Sequence, residues 1–123
     1  MASLFVVAGK ERGKYFVLDE GVTRLGRDEH ADIQILDDMI SRSHLDVTYD
    51  SENSACRIED LKSANGTLVN GKRIAGEVEL KDGDTIRMGE STVLYTVKNM
   101  SDLDTAMEFI KKRGEHGKGT LIQ

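Results

Sequence analysis

The sequence predicts an all-β domain, a sandwich or a barrel, followed by one short C-terminal helix, and three observations carry that prediction. Residues 3–97 break into short runs of apolar and polar residues with turn chemistry between them at close intervals. Turn signals recur through the same stretch: Asn70-Gly71 between Leu68-Val69 and Arg73-Ile74, then Lys81-Asp82-Gly83-Asp84, then Gly89-Glu90. Only after Val97 does the apolar spacing change to a helical one.

Taken in order, the runs predict about eleven strands, over residues 4–7, 14–19, 23–26, 33–35, 45–49, 55–60, 68–70, 72–74, 77–80, 85–88 and 92–97. The first lies in Met1-Ala2-Ser3-Leu4-Phe5-Val6-Val7-Ala8, which has no basic flank and meets Gly9-Lys10 at once. It reads as a strand and not as a signal peptide. Leu45-Asp46-Val47-Thr48-Tyr49 alternates strictly, so Leu45, Val47 and Tyr49 face a core. Cys56 shares a face with Ile58 in the next run, which makes it a small buried core residue; as the single cysteine it cannot close an intramolecular disulfide. Asn70-Gly71 tolerates positive φ and suits a two-residue hairpin. Beyond Val97, Ser101-Asp102-Leu103-Asp104 opens a helix, Leu103, Ala106, Met107 and Ile110 form one stripe, and Lys111-Lys112-Arg113 places cations before a stop at Gly114. The stripe either packs on the β-domain or begins a linker helix or dimer contact. Residues 115–123 read as a polar, glycine-containing tail. The expected division is a domain over 1–98 and a helix with tail over 99–123.

A chain of 123 residues supports one core. The net charge of −5 and the lack of a long basic stripe argue against nucleic acid as a partner. No apolar run approaches the roughly 18 residues of a membrane span. With no signal peptide and no cysteine pair, the expected compartment is the cytoplasm.

The chemistry concentrates in Gly26-Arg27, Ser41-Arg42-Ser43-His44, Ser63-Ala64-Asn65-Gly66-Thr67 and Asn70-Gly71, all on segments that read as loops or turns. A phosphorylated side chain brings nearly two negative charges and three acceptor oxygens. Arg27 offers a guanidinium fork, Ser41 a hydroxyl and an N–H, and Asn65 an amide that both donates and accepts. Gly26 is expected to let the chain turn so that Arg27 projects. Arg24, Arg42 and Lys62 add local cations. His44, three residues after Ser41, invites a hydrolytic reading, but a triad needs an orienting acid and an oxyanion hole, and no nucleophile elbow is present. The chain is therefore expected not to be an enzyme and to need no cofactor. His30 and His116 lack metal-ligand spacing. The run Gly114-Glu115-His116-Gly117-Lys118-Gly119-Thr120 fails as a P-loop because a glycine separates Lys118 from Thr120 and no strand leads into it.

Gly-Arg, then Ser-x-x-His, then two successive Asn-Gly pairs, met in that order across residues 3–97, resembles the forkhead-associated (FHA) domain family. The resemblance implies a two-sheet antiparallel sandwich of eleven strands whose loops at one end bind phosphothreonine in a partner peptide. It makes Arg27 and Ser41 phosphate contacts, extends the same role to Arg42, places Asn65 on the peptide backbone, and makes His44 a brace that holds Ser41. Gly26, Gly66, Asn70 and Gly71 become support. Met39 or Ile40 becomes the reader of the third residue after the phosphothreonine, with an aliphatic preference over aspartate. One departure is Ala64, where the family often has Thr or Ser; a phosphate donor is lost there unless Ser63 or Arg42 compensates. The implied partners are a Thr-phosphorylated protein or peptide and an upstream Ser/Thr kinase. A second reading stays open: a docking or dimerisation domain of the same fold that works without phosphate, as the regulatory part of a larger protein, with self-association through the C-terminal helix or tail. Thr105 and Thr120 lie outside the expected sandwich, and phosphorylation of Thr120 in the tail would let the tail occupy its own domain or that of a neighbour.

Overall fold

In the computed structural model, which describes residues 2–97, all eleven expected strands are present. They are β1 (Ser3–Ala8), β2 (Tyr15–Val17), β3 (Gly21–Gly26), β4 (Ile33–Gln34), β5 (Leu45–Asp50), β6 (Ala55–Asp60), β7 (Thr67–Val69), β8 (Lys72–Arg73), β9 (Glu77–Leu80), β10 (Thr85–Met88) and β11 (Ser91–Thr96). The expected helix, the tail, Thr105, Thr120 and His116 lie outside the described residues. Among the described residues no helix is long and apolar enough to cross a membrane.

The strands form two sheets, ordered β2-β1-β11-β10-β7-β8 and β4-β3-β5-β6-β9. All recorded pairings are antiparallel except β3 with β4, which is parallel with Leu25 opposite Ile33. Strand alternation builds the core between the sheets. In β5, Leu45, Val47 and Tyr49 are buried while Asp46, Thr48 and Asp50 are half-buried, and they pack with Leu4 and Val6 of β1, Ile58 of β6 and Tyr95 of β11. Cys56 belongs to this core; burial pushes its thiol up to about 12, against a hydrogen bond with Tyr95, so it stays protonated and unreactive at neutral pH.

The hairpin at Asn70-Gly71 forms with φ of 51° and 86°, the left-handed pair that a tight turn between right-twisting strands requires. Register then brings five strand ends to one end of the sandwich. The end of β3 lies beside the start of β5, because Leu25 pairs with Leu45. Leu45 in turn pairs with Asp60, the last residue of β6, and on the other sheet Thr67 at the start of β7 pairs with Met88 at the end of β10. The loops after β3, between β4 and β5, and between β6 and β7 therefore converge.

Candidate functional site

The convergence begins at Gly26. A Cβ built on it would lie 1.8 Å from the carbonyl oxygen of Arg42 and 2.7 Å from its carbonyl carbon. The Ser41-Arg42 backbone thus rests directly on the end of β3, and only a residue without a side chain permits that approach. The N–H of Arg27 donates to the Ser41 carbonyl at 3.0 Å, and the N–H of His44 donates to the Leu25 carbonyl at 3.0 Å. This corrects the turning role expected of Gly26: its φ is not among the positive ones, and its function is contact.

His44 fixes the loops to one another. It is fully buried, with both ring nitrogens engaged. The Ser41 N–H donates to Nδ1 at 3.0 Å, so Nδ1 carries the lone pair and the proton sits on Nε2, which faces the Gly66 carbonyl at 3.0 Å. One neutral tautomer therefore ties the β4–β5 loop to the β6–β7 loop. Burial holds the imidazole pKa below its ordinary value, although the Gly66 hydrogen bond and nearby Asp60 and Asp37 act the other way. With its folded pKa depressed, His44 contributes stability that is complete above the unfolded value of about 6.5. That contribution is lost as pH falls towards the folded value, because the unfolded chain takes up the proton first. His44→Ala should lower the unfolding free energy at pH 7.5 by about 3 kcal/mol, since it strands a buried N–H and a carbonyl and leaves a cavity. Denaturant titrations between pH 7.5 and 5.5 should show a decline in wild type that is largely missing in the variant; an equal decline in both would assign it to other groups.

Sequence reasoning missed Asp60. Its carboxylate accepts from the Ser63 N–H at 3.0 Å, the Ser63 hydroxyl at 2.5 Å and the Thr67 hydroxyl at 2.7 Å. Burial raises its pKa, but these hydrogen bonds together outweigh burial and hold it below the ordinary carboxylate value. The available signal was Asp60-x-x-Ser63, the spacing of an acidic side chain that caps its own turn. This network overturns one expectation. The Ser63 oxygen also accepts from the Gly66 N–H at 3.0 Å, so its hydroxyl is committed inside the loop and does not replace the donor absent at Ala64.

Three of the expected site residues are brought together, each anchored through one polar group. Arg27 Nε donates to the Ile40 carbonyl at 2.9 Å, while its two terminal nitrogens make no hydrogen bond among the described residues. Ser41 Oγ accepts from the Ala64 N–H at 2.9 Å, which leaves its own proton to donate outward. Asn65 Nδ2 donates to the Met39 carbonyl at 2.9 Å, and its Oδ1 accepts nothing among the described residues. Arg42 is exposed beside them, with no ion pair or side-chain hydrogen bond among the described residues.

Other candidates are placed elsewhere. Arg24 is removed from the cation set, because its guanidinium is clamped on Asp46 at 2.9 and 3.0 Å. Asn70 and Gly71 sit at the far end of β7, where Asn70 braces Asp84 and Thr85 and supports the hairpin, not the loops. Ile40 is 1% exposed and Met39 45%, so of the two only Met39 can meet a peptide. Beside Met39 opens a cavity of about 220 Å³, lined also by Lys10, Asp37, Asp38 and Glu90. Asp37 anchors its wall by accepting from the Met39 and Glu90 N–H groups and the Ser91 hydroxyl. A further residue unforeseen from sequence is Arg73. A Cβ on Gly66 would lie 2.7 Å from the Arg73 guanidinium, a flexible side-chain end that can move aside, so what favours glycine there is its φ of +81°.

Comparison with known proteins places this geometry in context. The FHA domain pattern matches residues 23–89. FHA domain-containing protein FhaA of Mycobacterium tuberculosis is 37% identical over 82 residues, which cover 67% of this chain and 15% of that protein. Glycogen accumulation regulator GarA of the same organism is 33% identical over 94 residues, 76% of this chain and 56% of its own. The chain thus spans less than two thirds of the length of either relative. Among solved structures, Mycobacterium tuberculosis EmbR in complex with a low-affinity phosphopeptide superposes with a TM-score of 0.69 at 31% identity, over 79% of this chain and 24% of that one.

Proposed function

Because the chain belongs to the FHA domain family and is a phosphothreonine-peptide-binding module of the kind that family comprises, we propose that Arg27, Ser41 and Arg42 hold the phosphate while Asn65 holds the peptide backbone. The supporting observation is the division of labour within each side chain. Arg27, Ser41 and Asn65 each spend one polar group on the loop backbone and keep another for a ligand, so the donors are ordered before the ligand arrives. The terminal nitrogens of Arg27 suit a bidentate contact with two phosphate oxygens, the Ser41 hydroxyl donates to the third, and Arg42 supplies the further donor that Ala64 and Ser63 do not. Asn65 Oδ1 accepts from a peptide N–H. His44 supports this reading as a brace without catalysis, since neither ring nitrogen is free to take a proton from Ser41.

Met39 is assigned to the third residue after the phosphothreonine, with an aliphatic preference. Its exposed thioether chain offers apolar contact, and the three carboxylates among the cavity's lining, Asp37, Asp38 and Glu90, outnumber the one cation, Lys10, and disfavour an aspartate. The partner class is a protein phosphorylated on threonine by a Ser/Thr kinase, met in the cytoplasm. Calorimetric titration with a phosphothreonine peptide pool, randomised downstream, and with its unphosphorylated twin tests the reading. Binding is expected to the phosphorylated pool alone, and the retained peptides should be enriched in Ile, Leu or Val at the third position. Equal binding to both pools would establish phosphate-independent docking, and enrichment of aspartate would remove Met39 from its role.

A further inference from the structure

A second feature lies on the outer face of the six-stranded sheet, away from the phosphate loops, and it does not depend on the reading of those loops. Leu4 and Val6 of β1 and Val93 and Tyr95 of β11 face the core. By strand alternation Ser3, Phe5, Leu94 and Thr96 face outward, with Ser3 paired to Thr96 and Phe5 to Leu94. All four are nonetheless buried, Phe5 and Leu94 completely. The outer face of the other sheet behaves differently: Val22 is 61% exposed, and Arg57 and Glu59 of the interior strand β6 are exposed. Neighbours within a sheet flank a side chain without closing its top. Tyr15, whose ring lies 5.9 Å from that of Phe5, and Arg87, whose Nε turns to the Gly89 carbonyl, are flanking neighbours of this kind. The described strands therefore bound this apolar patch but do not roof it.

We propose that residues 98–123 of the same chain roof the outer face of this sheet through the stripe Leu103, Ala106, Met107 and Ile110. Continuity favours this occupant. The chain leaves β11 at Thr96, which itself belongs to the buried face, and six residues separate it from Leu103. Six extended residues reach up to about 20 Å, enough to return across two strands spaced about 5 Å apart. The stripe presents the apolar surface that the Phe5–Leu94 patch lacks, and its opposite side carries Asp104, Glu108 and Lys112. The segment lies wholly outside the residues that match the family.

The chain has no tryptophan, so Phe5→Trp in the full chain is a unique reporter. Its emission should be blue-shifted and protected from a soluble quencher, with a sedimentation coefficient of a monomer at all concentrations. Adding Met107→Asp and Ile110→Asp should red-shift it, restore quenching and lower the thermal midpoint by about 10 °C. Loss of fold in the doubly charged variant supports the same conclusion, because a detached tail has no fold to disturb. An exposed reporter in the parent chain overturns the proposal, as does a buried reporter that ignores the charged pair. Burial that disappears on dilution overturns it in favour of a second copy. If Phe5→Trp does not fold, Ser3→Cys read by a thiol reagent takes its place, with protection expected and rapid labelling as the contrary result; Cys56 is inert to the reagent by its burial.

Discussion

Arg27→Ala is expected to weaken phosphothreonine-peptide binding by at least about a hundredfold while leaving the domain folded. In the proposed site the two terminal nitrogens of Arg27, which bond to none of the described residues, would supply two charge-assisted hydrogen bonds, each worth about 1.5–3 kcal/mol, and the loss of about 3 kcal/mol corresponds to that factor. Stability should change little, because Arg27 is exposed and gives up only its Nε contact with the Ile40 carbonyl. Arg27→Lys is the sharper version. A lysine keeps the charge but cannot both anchor on Ile40 and fork onto two oxygens, so most of the affinity should remain lost. Calorimetric titration of wild type and both variants, with denaturation midpoints measured alongside, separates a lost contact from a lost fold. A lysine variant that binds like wild type would reduce the role of Arg27 to a point charge and remove the bidentate geometry from the site.

The strands were legible because their signal is local. Strict alternation in residues 45–49 and the Asn70-Gly71 turn each specify backbone geometry within a few residues, and both are found as read. What the sequence hid is whatever depends on packing between distant segments. Nothing local shows that β3 and β4 pair in parallel, since that pairing follows from how the loop over residues 27–32 closes. Arg24 looks as available as Arg27 until register sets it opposite Asp46 and neutralises it. Ser63 looks like a spare phosphate donor until Asp60 claims its proton. The residue types of the site could be read from the sequence, whereas the allocation of each hydrogen bond required the fold.

Gly26 is where this distinction has its largest consequence, and Gly26→Ala should destroy binding by a route unlike that of Arg27→Ala. A methyl group 1.8 Å from a backbone carbonyl oxygen cannot be absorbed by a rotamer change, because both partners are main chain. Either the end of β3 withdraws or the Ser41–His44 segment lifts. Lifting breaks the Arg27 N–H bond to the Ser41 carbonyl and the His44 N–H bond to the Leu25 carbonyl, and it moves the Ser41 hydroxyl away from the Arg27 guanidinium. The expected result is a loss of about 3 kcal/mol in stability together with phosphopeptide binding below detection. Gly71→Ala is the matched control. A Cβ there meets nothing within 4 Å, so only its φ of +86° is penalised, at about 1 kcal/mol, and binding should persist. If Gly26→Ala instead kept full affinity, the loop would have an alternative seat on β3, and the preordered arrangement of Arg27 beside Ser41 could not be the source of phosphate recognition.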